Sequence, residues 1–291
     1  MNYKMMGKFI GLLLMVESIF MMPALIISLC MKEYSSIMGF TVTIVLLWGL
    51  GVTLRLLCRK ARKSFFAKEG LVCVGMGWLF MSLLGCLPFF LSGAIPNYVD
   101  ALFEIVSGFT TTGASILEQI EGLPYGILYW RSFSHWLGGM GVLVFLLAIP
   151  MGGEGGSGFT MHLLRAESPG PNVGKLVPKM KQTAQILYIL YIALTVLDVI
   201  FLLIGGMPVF DAVCTAFGTA GTGGFGIKGD SIAGYSPYIQ NVCTVFMLLF
   251  GVNFSCYYLL LLGQIKSVFK DEELRMYLGI ILASILLIVW N

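Results

Sequence analysis

The chain has 291 residues, 58% of them apolar, and only 33 are charged, 18 Lys+Arg against 15 Asp+Glu. Soluble domains carry roughly 25% charged residues, so the 11% found here excludes a soluble enzyme and a nucleic-acid-binding module, and no nucleic-acid partner is expected. The net charge of +3 acquires meaning only when the charges are placed along the chain.

Seven apolar runs predict seven spans, at approximately 9–31, 36–57, 70–91, 128–150, 183–205, 238–263 and 274–290. Each is close to the ~20 residues that cross a ~30 Å hydrocarbon core. The first follows Lys4 and Lys8, but it is too long for the apolar core of a signal peptide and lacks a small-x-small cleavage site, so it predicts a retained helix. With the N-terminus in the cytoplasm, the inner segments hold 15 Lys and Arg and the outer ones only Lys32, Arg131 and Lys228, the bias that orients membrane proteins. The outer segments carry seven acids, Glu33, Asp100, Glu104, Glu118, Glu121, Asp211 and Asp230, for a net −4 against those three bases. A negative mouth concentrates cations; ordinary solvated loop charge accounts for the same excess equally well. The seven cysteines are odd in number, have no C-x-x-C spacing and sit mostly in apolar runs, which predicts small buried hydrophobes.

Two outer segments repeat. Residues 100–115, beginning at Asp100, align without a gap on residues 211–226, beginning at Asp211, at an offset of 111. Ala101 falls on Ala212, Thr111 on Thr222 and Gly113 on Gly224. Such self-similarity is a fold-level signal. The apolar stretches 101–109 and 212–218 are too short to cross a bilayer and too apolar for exposed loops, which predicts half-helices that dip in from outside. The Thr/Gly segments that follow are then extended backbone at membrane depth, tolerated only where protein buries it or it lines a wet path. Carbonyls held in a ring replace the hydration shell of a cation. Glycine permits the torsions that aim successive carbonyls inward, and threonine adds a hydroxyl acceptor on a stiff side chain. Both units start from the inside, so the repeat is parallel. An inverted repeat marks many rocking transporters; parallel units around an axis point to a pore.

Several motifs carry a resemblance. They are Phe109-Thr-Thr-Thr-Gly-Ala-Ser115, Trp130-Arg-Ser-Phe-Ser-His-Trp-Leu-Gly-Gly-Met-Gly141, Leu164-Arg-Ala-Glu-Ser-Pro-Gly-Pro171, Thr222-Gly-Gly-Phe225 and Gly251-Val-Asn-Phe-Ser255. In these the chain resembles the membrane subunits of bacterial Trk-type potassium uptake systems, the TrkH family, with KtrB and fungal Trk as relatives. The two spans before the first repeat resemble TrkH more than KtrB. The resemblance implies an all-α membrane protein of parallel M1–P–M2 pore-loop repeats, two complete and part of a third, preceded by two extra transmembrane helices. The corresponding divisions are 1–60, 61–150 for the first repeat, 151–181 for a cytoplasmic loop, 182–265 for the second repeat and 266–291 for the start of a third. It further implies potassium uptake across the bacterial cytoplasmic membrane, with K⁺ bound by backbone carbonyls of Thr111, Thr112 and Gly113 and of Thr222, Gly223 and Gly224. Implied partners are a second copy of the chain, a cytosolic nucleotide-binding regulatory subunit of the TrkA or KtrA type, and membrane lipids. The family carries four filter segments and this chain two. Either the chain is a fragment of a longer protein or two chains combine, and the unpaired seventh span favours the fragment. A non-conducting fragment and a secondary transporter of another solute are the alternatives. Coupling to H⁺ or Na⁺ stays open.

Other groups weigh less. Glu104 in the first pore helix, with Arg131 and His135 four residues apart on one face of the next helix, is expected to support the filter. Gly153-Glu-Gly-Gly-Ser-Gly158 fits G-x-G-x-x-G, but it follows a span and not a strand, so no nucleotide or other organic cofactor is expected in this chain. The basic residues Lys175, Lys179 and Lys181 fit a cytoplasmic flank, contacting lipid headgroups or the partner. Glu17 and Asp198 are acids within spans, for which a structural, buried role is expected over a place on the ion path. His135 and His162 fall on opposite sides of the membrane, so they form no metal site. The Asn253-Phe-Ser255 sequon lies in a span and carries no expected glycan. No H-E-x-x-H or G-x-S-x-G motif appears, and no enzymatic activity is expected.

Overall fold

A computed structural model of the chain describes residues 2–59, 67–141 and 180–290 and is helical throughout its regular structure. The C-terminal part of the fourth expected span (142–150), most of the loop 151–181, the Gly153–Gly158 and Leu164–Pro171 motifs and His162 lie outside the described residues. Two leading helices come first: α1 (Tyr3–Met31) and α2 (Tyr34–Leu57). At 1.5 Å per residue, α1 with its 29 residues is long enough to cross a bilayer. It stops at Lys32, whose left-handed φ of 57° turns the chain into α2. The two pack closely because their crossing is lined by glycine: a Cβ on Gly11 would run into the Gly51 carbonyl, the close backbone approach that small residues permit between membrane helices.

The next group is α3 (Ala67–Gly85), α4 (Leu87–Leu91), α5 (Tyr98–Phe109) and α6 (Tyr125–Met140). Pro88 at the start of α4 lacks the N–H that would continue the ladder. Side chains take the carbonyls there: Tyr98 donates its hydroxyl to Leu83 O at 2.9 Å, and Trp130 Nε1 donates to Gly85 O at 2.8 Å. A second group follows: α7 (Met180–Ile204), α8 (Val209–Ala220) and α9 (Pro237–Phe250), with α10 (Phe254–Leu261), α11 (Ile265–Phe269) and α12 (Glu272–Trp290) after it. Among the described residues five helical stretches are long and apolar enough to cross a membrane, Tyr3–Met31, Tyr34–Leu57, Gly70–Leu91, Gln185–Ile204 and Glu272–Trp290, and the bent pair Pro237–Phe250 with Phe254–Leu261 makes a sixth if it is one span.

The expected continuous span 238–263 is corrected. It is two helices, α9 and α10, meeting at 87°. The bend falls at Gly251-Val-Asn253, and the polar groups it frees are satisfied locally. The Tyr257 hydroxyl donates to Leu249 O at 2.6 Å and that of Tyr277 to Leu248 O at 3.0 Å. Asn253 Oδ1 accepts from Ser255 N at 2.9 Å, capping α10, and Asn253 Nδ2 donates to Glu273. A run apolar enough to read as one span thus carries its own stop and restart.

Two large apolar cores result, one built mainly on α1, α2, α5 and α6 and the other on α7, α8 and α9, with a smaller cluster of Ile120, Leu128, Cys214 and Ile227 beside them. The two large cores meet where Phe217 of α8 packs its ring against Tyr129, Phe133 and Trp136 of α6. In contrast α12 has no buried residue in its apolar stretch.

Candidate functional site

The two Thr/Gly segments sit at the C-terminal ends of two short helices that match residue for residue. Helix α5 runs Tyr98–Phe109 and α8 Val209–Ala220, each of 12 residues and each bound displaced by 111. The backbone bonds recur at the same displacement. Ala101 N donates to Asn97 O at 3.0 Å and Ala212 N to Pro208 O at 2.8 Å; Thr110 N donates to Val106 O and Gly221 N to Phe217 O; Thr111 N donates to Gly108 O and Thr222 N to Thr219 O.

The torsions recur as well. Thr111 and Thr222 have φ of 53° and 58°, Gly113 and Gly224 have 73° and 66°, and the residues between them, Thr112 and Gly223, stay outside the positive-φ set. Positive φ on a β-branched threonine is a costly backbone state, yet it occurs at the same place twice. The segments also adjoin: a Cβ on Gly113 would strike the Gly223 carbonyl, and one on Gly223 would come within 2.6 Å of Thr111 O. Helix C-termini carry partial negative charge, and α5 and α8 both end at these segments.

Helix α6 braces both. Arg131 and Glu104 are buried and paired, Nε to Oε1 at 2.6 Å. The carboxylate also accepts the Ser115 hydroxyl at 2.9 Å and the Ile116 N–H at 3.0 Å, so it holds the exit of the first segment. The same guanidinium donates through Nη1 to Gly226 O, at the exit of the second segment, and lies 3.5 Å from the Phe225 ring centre. One turn further on, His135 stacks on Phe225 with ring centres 5.2 Å apart and lies behind Gly221 and Gly223, where an added Cβ would meet the imidazole. Neither ring nitrogen has a hydrogen-bond partner among the described residues. Glu104, Arg131 and His135 are thus brought together with both Thr/Gly segments.

Sequence reasoning missed three participants. Ser107 donates its hydroxyl to Ala114 O, Ser115 bonds Glu104, and Gly226 O accepts from Arg131, 95 residues earlier in the chain. The two serines were visible as polar residues flanking the Thr/Gly run; the Gly226 contact had no local signal. Glu17 and Asp198 are fully buried, and none of their carboxyl oxygens has a partner among the described residues. Among the described residues no group of three or more His, Cys, Asp or Glu is placed to hold a metal ion.

The family model for TrkH, described as a cation transport protein, matches residues 36–288. The chain is 35% identical over 300 residues to the Trk system potassium uptake protein TrkH of Salmonella typhimurium, covering 100% of this chain and 61% of the relative. It is 35% identical over 286 residues to that of Escherichia coli (strain K12), covering 96% and 58%. The crystal structure of the potassium transporter TrkH from Vibrio parahaemolyticus matches with a TM-score of 0.81 at 27% identity, over 96% of this chain and 57% of that one. The chain therefore spans about three-fifths of the length of the relatives it matches. It belongs to the TrkH family of cation transport proteins.

Proposed function

We propose that the chain contributes to potassium uptake as the membrane subunit of a Trk-type system, with K⁺ held by backbone carbonyls of Thr111, Thr112, Gly113, Thr222, Gly223 and Gly224. The observation that carries this reading is the paired left-handed torsion at 111/222 and 113/224, in two adjoining segments that each follow a helix C-terminus. Uncharged carbonyls and the negative ends of two helix dipoles favour a cation and disfavour an anion. Glu104, Arg131 and His135 act as supports that hold the two segments against each other.

The arrangement reads as two parallel M1–P–M2 repeats: α3/α4, α5 and α6, then α7, α8 and α9/α10. The leading helices α1 and α2 precede them, and α12 opens a third. The N-terminus faces the cytoplasm of a bacterial inner membrane, in line with the 15-to-3 split of basic residues, and the carbonyl segments open to the outer, acidic side. Inward flow then follows the membrane potential, worth about 2.3 kcal/mol per charge per 100 mV. The partners fitting this reading are a second copy of the chain and a cytosolic nucleotide-binding regulatory subunit, as the word "system" in the relatives' names invites.

A second reading is favoured by the chain's share of its relatives: this length alone is a non-conducting part, because a carbonyl ring needs four segments and the chain carries two. Rubidium uptake into liposomes holding the purified chain separates the two. Uptake that K⁺ competes and Gly113→Asp abolishes supports the conducting reading. No uptake by a folded helical chain supports the second reading, and uptake indifferent to Gly113→Asp contradicts the carbonyl assignment.

A further inference from the structure

Behind the second Thr/Gly segment, between α8 and α9, lies a cavity of about 40 Å³ whose lining includes Thr215, Thr219, Gly226, Ile227, Ser231 and Cys243. The repeat explains its place. Thr215, Gly226 and Ile227 stand 111 residues after Glu104, Ser115 and Ile116. In the first repeat those three residues are tied together, because the Glu104 carboxylate accepts from both the Ser115 hydroxyl and the Ile116 amide. Ser107 adds a bond to Ala114 O, and its counterpart is Gly218. Each side chain that ties the first segment to its own helix is therefore shorter or missing in the second. The cavity opens where the carboxylate would stand. The Ile227 N–H, counterpart of the Ile116 N–H, meets no acceptor among the described residues, and Ile227 is buried. A buried amide left this way is costly.

We propose that this cavity is a hydration site, in which an ordered water accepts from the Ile227 N–H, uses the Thr215 hydroxyl as its anchor and takes the place of the first repeat's carboxylate. The volume suffices, since one water needs about 10–15 Å³. The lining offers the hydroxyls of Thr215 and Ser231, and that of Thr219 as an acceptor since it already donates to Thr215 O at 2.9 Å, and a water needs two to four polar partners. It contains no carboxylate and presents an amide N–H, which disfavours a cation. The second segment is then held by an exchangeable water and by the reach of Arg131 to Gly226 O, whereas the first is held by side chains of its own helix. Water bridges are nearly as good enthalpically as direct bonds. The inference rests on the repeat correspondence and stands whether or not the chain conducts.

The test is a crystal structure of the 291-residue chain at about 2 Å resolution, with a parallel bromide soak. The expected result is a solvent peak within hydrogen-bond distance of Ile227 N and Thr215 Oγ1, with no anomalous bromide signal. A dry or collapsed cavity overturns the proposal, and so does a bromide peak, which makes the site an anion site. Thr215→Val, which keeps the shape and removes the hydroxyl, is expected to lose the peak while residues 221–226 keep their path. A peak of undiminished occupancy in that variant overturns the role of Thr215 as anchor.

Discussion

Arg131 carries a fixed positive charge into a buried position, and three neighbours account for it: the Glu104 carboxylate, the Gly226 carbonyl and the face of Phe225. The forked, planar guanidinium reaches Glu104 of α5 and the Gly226 carbonyl at once. Replacing it with an apolar residue leaves Glu104 buried and unpaired, which typically costs about 3–5 kcal/mol. Arg131→Met is therefore expected to lower the thermal midpoint in detergent sharply, and Arg131→Lys to recover only part of the loss; equal midpoints for the wild type and Arg131→Met would contradict the brace. Glu121 behaves differently because it is exposed. Its carboxylate accepts the Gly229 N–H at 2.6 Å, tying residues 117–123 to the loop after the second segment, and this bond above all holds its pKa below the ordinary carboxylate value. A carboxyl lowered on folding stabilises above its unfolded pKa and loses that contribution as the pH falls through the folded value. The Gly229 amide is thus expected to be protected from hydrogen exchange at neutral pH and to lose protection in acid, and Glu121→Gln should flatten that pH dependence.

Helix ends decide much of the architecture. Glu33, between α1 and α2, accepts from the N–H groups of Tyr125 and Gly126 and so caps the free N-terminus of α6 with a negative charge. This contact fastens the leading helices to the helix that carries Arg131 and His135. Glu33→Ala is expected to cost about 1 kcal/mol, the usual value of a lost cap, read as a lower midpoint of thermal unfolding. The break between α9 and α10 depends on the same accounting. Tyr277→Phe leaves the Leu248 carbonyl without its donor, and a loss on the order of 1 kcal/mol follows; no change in midpoint would mean that water replaces the hydroxyl. The break was poorly legible in the sequence because hydropathy over 238–263 is dominated by its leucines and phenylalanines, while the turn rests on one glycine and one asparagine. The ends of α5 and α8 were better marked, since Pro208 and Asn97 stand at matched positions before them.

At the scale of the whole molecule, two helical groups share α6 as their common wall, and the Thr/Gly segments meet on it. The helical class, the apolar spans within the described residues apart from the broken 238–263, and the pairing of residues 100–115 with 211–226 were legible because they depend on composition and local order. The asymmetry between the repeats was not. Thr215 stands where the first repeat has Glu104, yet Arg131 of α6 serves the second segment as well, a contact fixed only by how α6 packs against α8. The exposed apolar length of α12 is likewise a property of the assembled fold. The central claim is that the carbonyls of 111–113 and 222–224 bind K⁺. Anomalous diffraction from crystals of the chain grown with RbCl in place of KCl tests it most directly. The account predicts a rubidium peak within coordination distance of carbonyls from both segments, lost in Gly113→Asp. Well-ordered segments without such a peak, or rubidium bound only elsewhere, would contradict it.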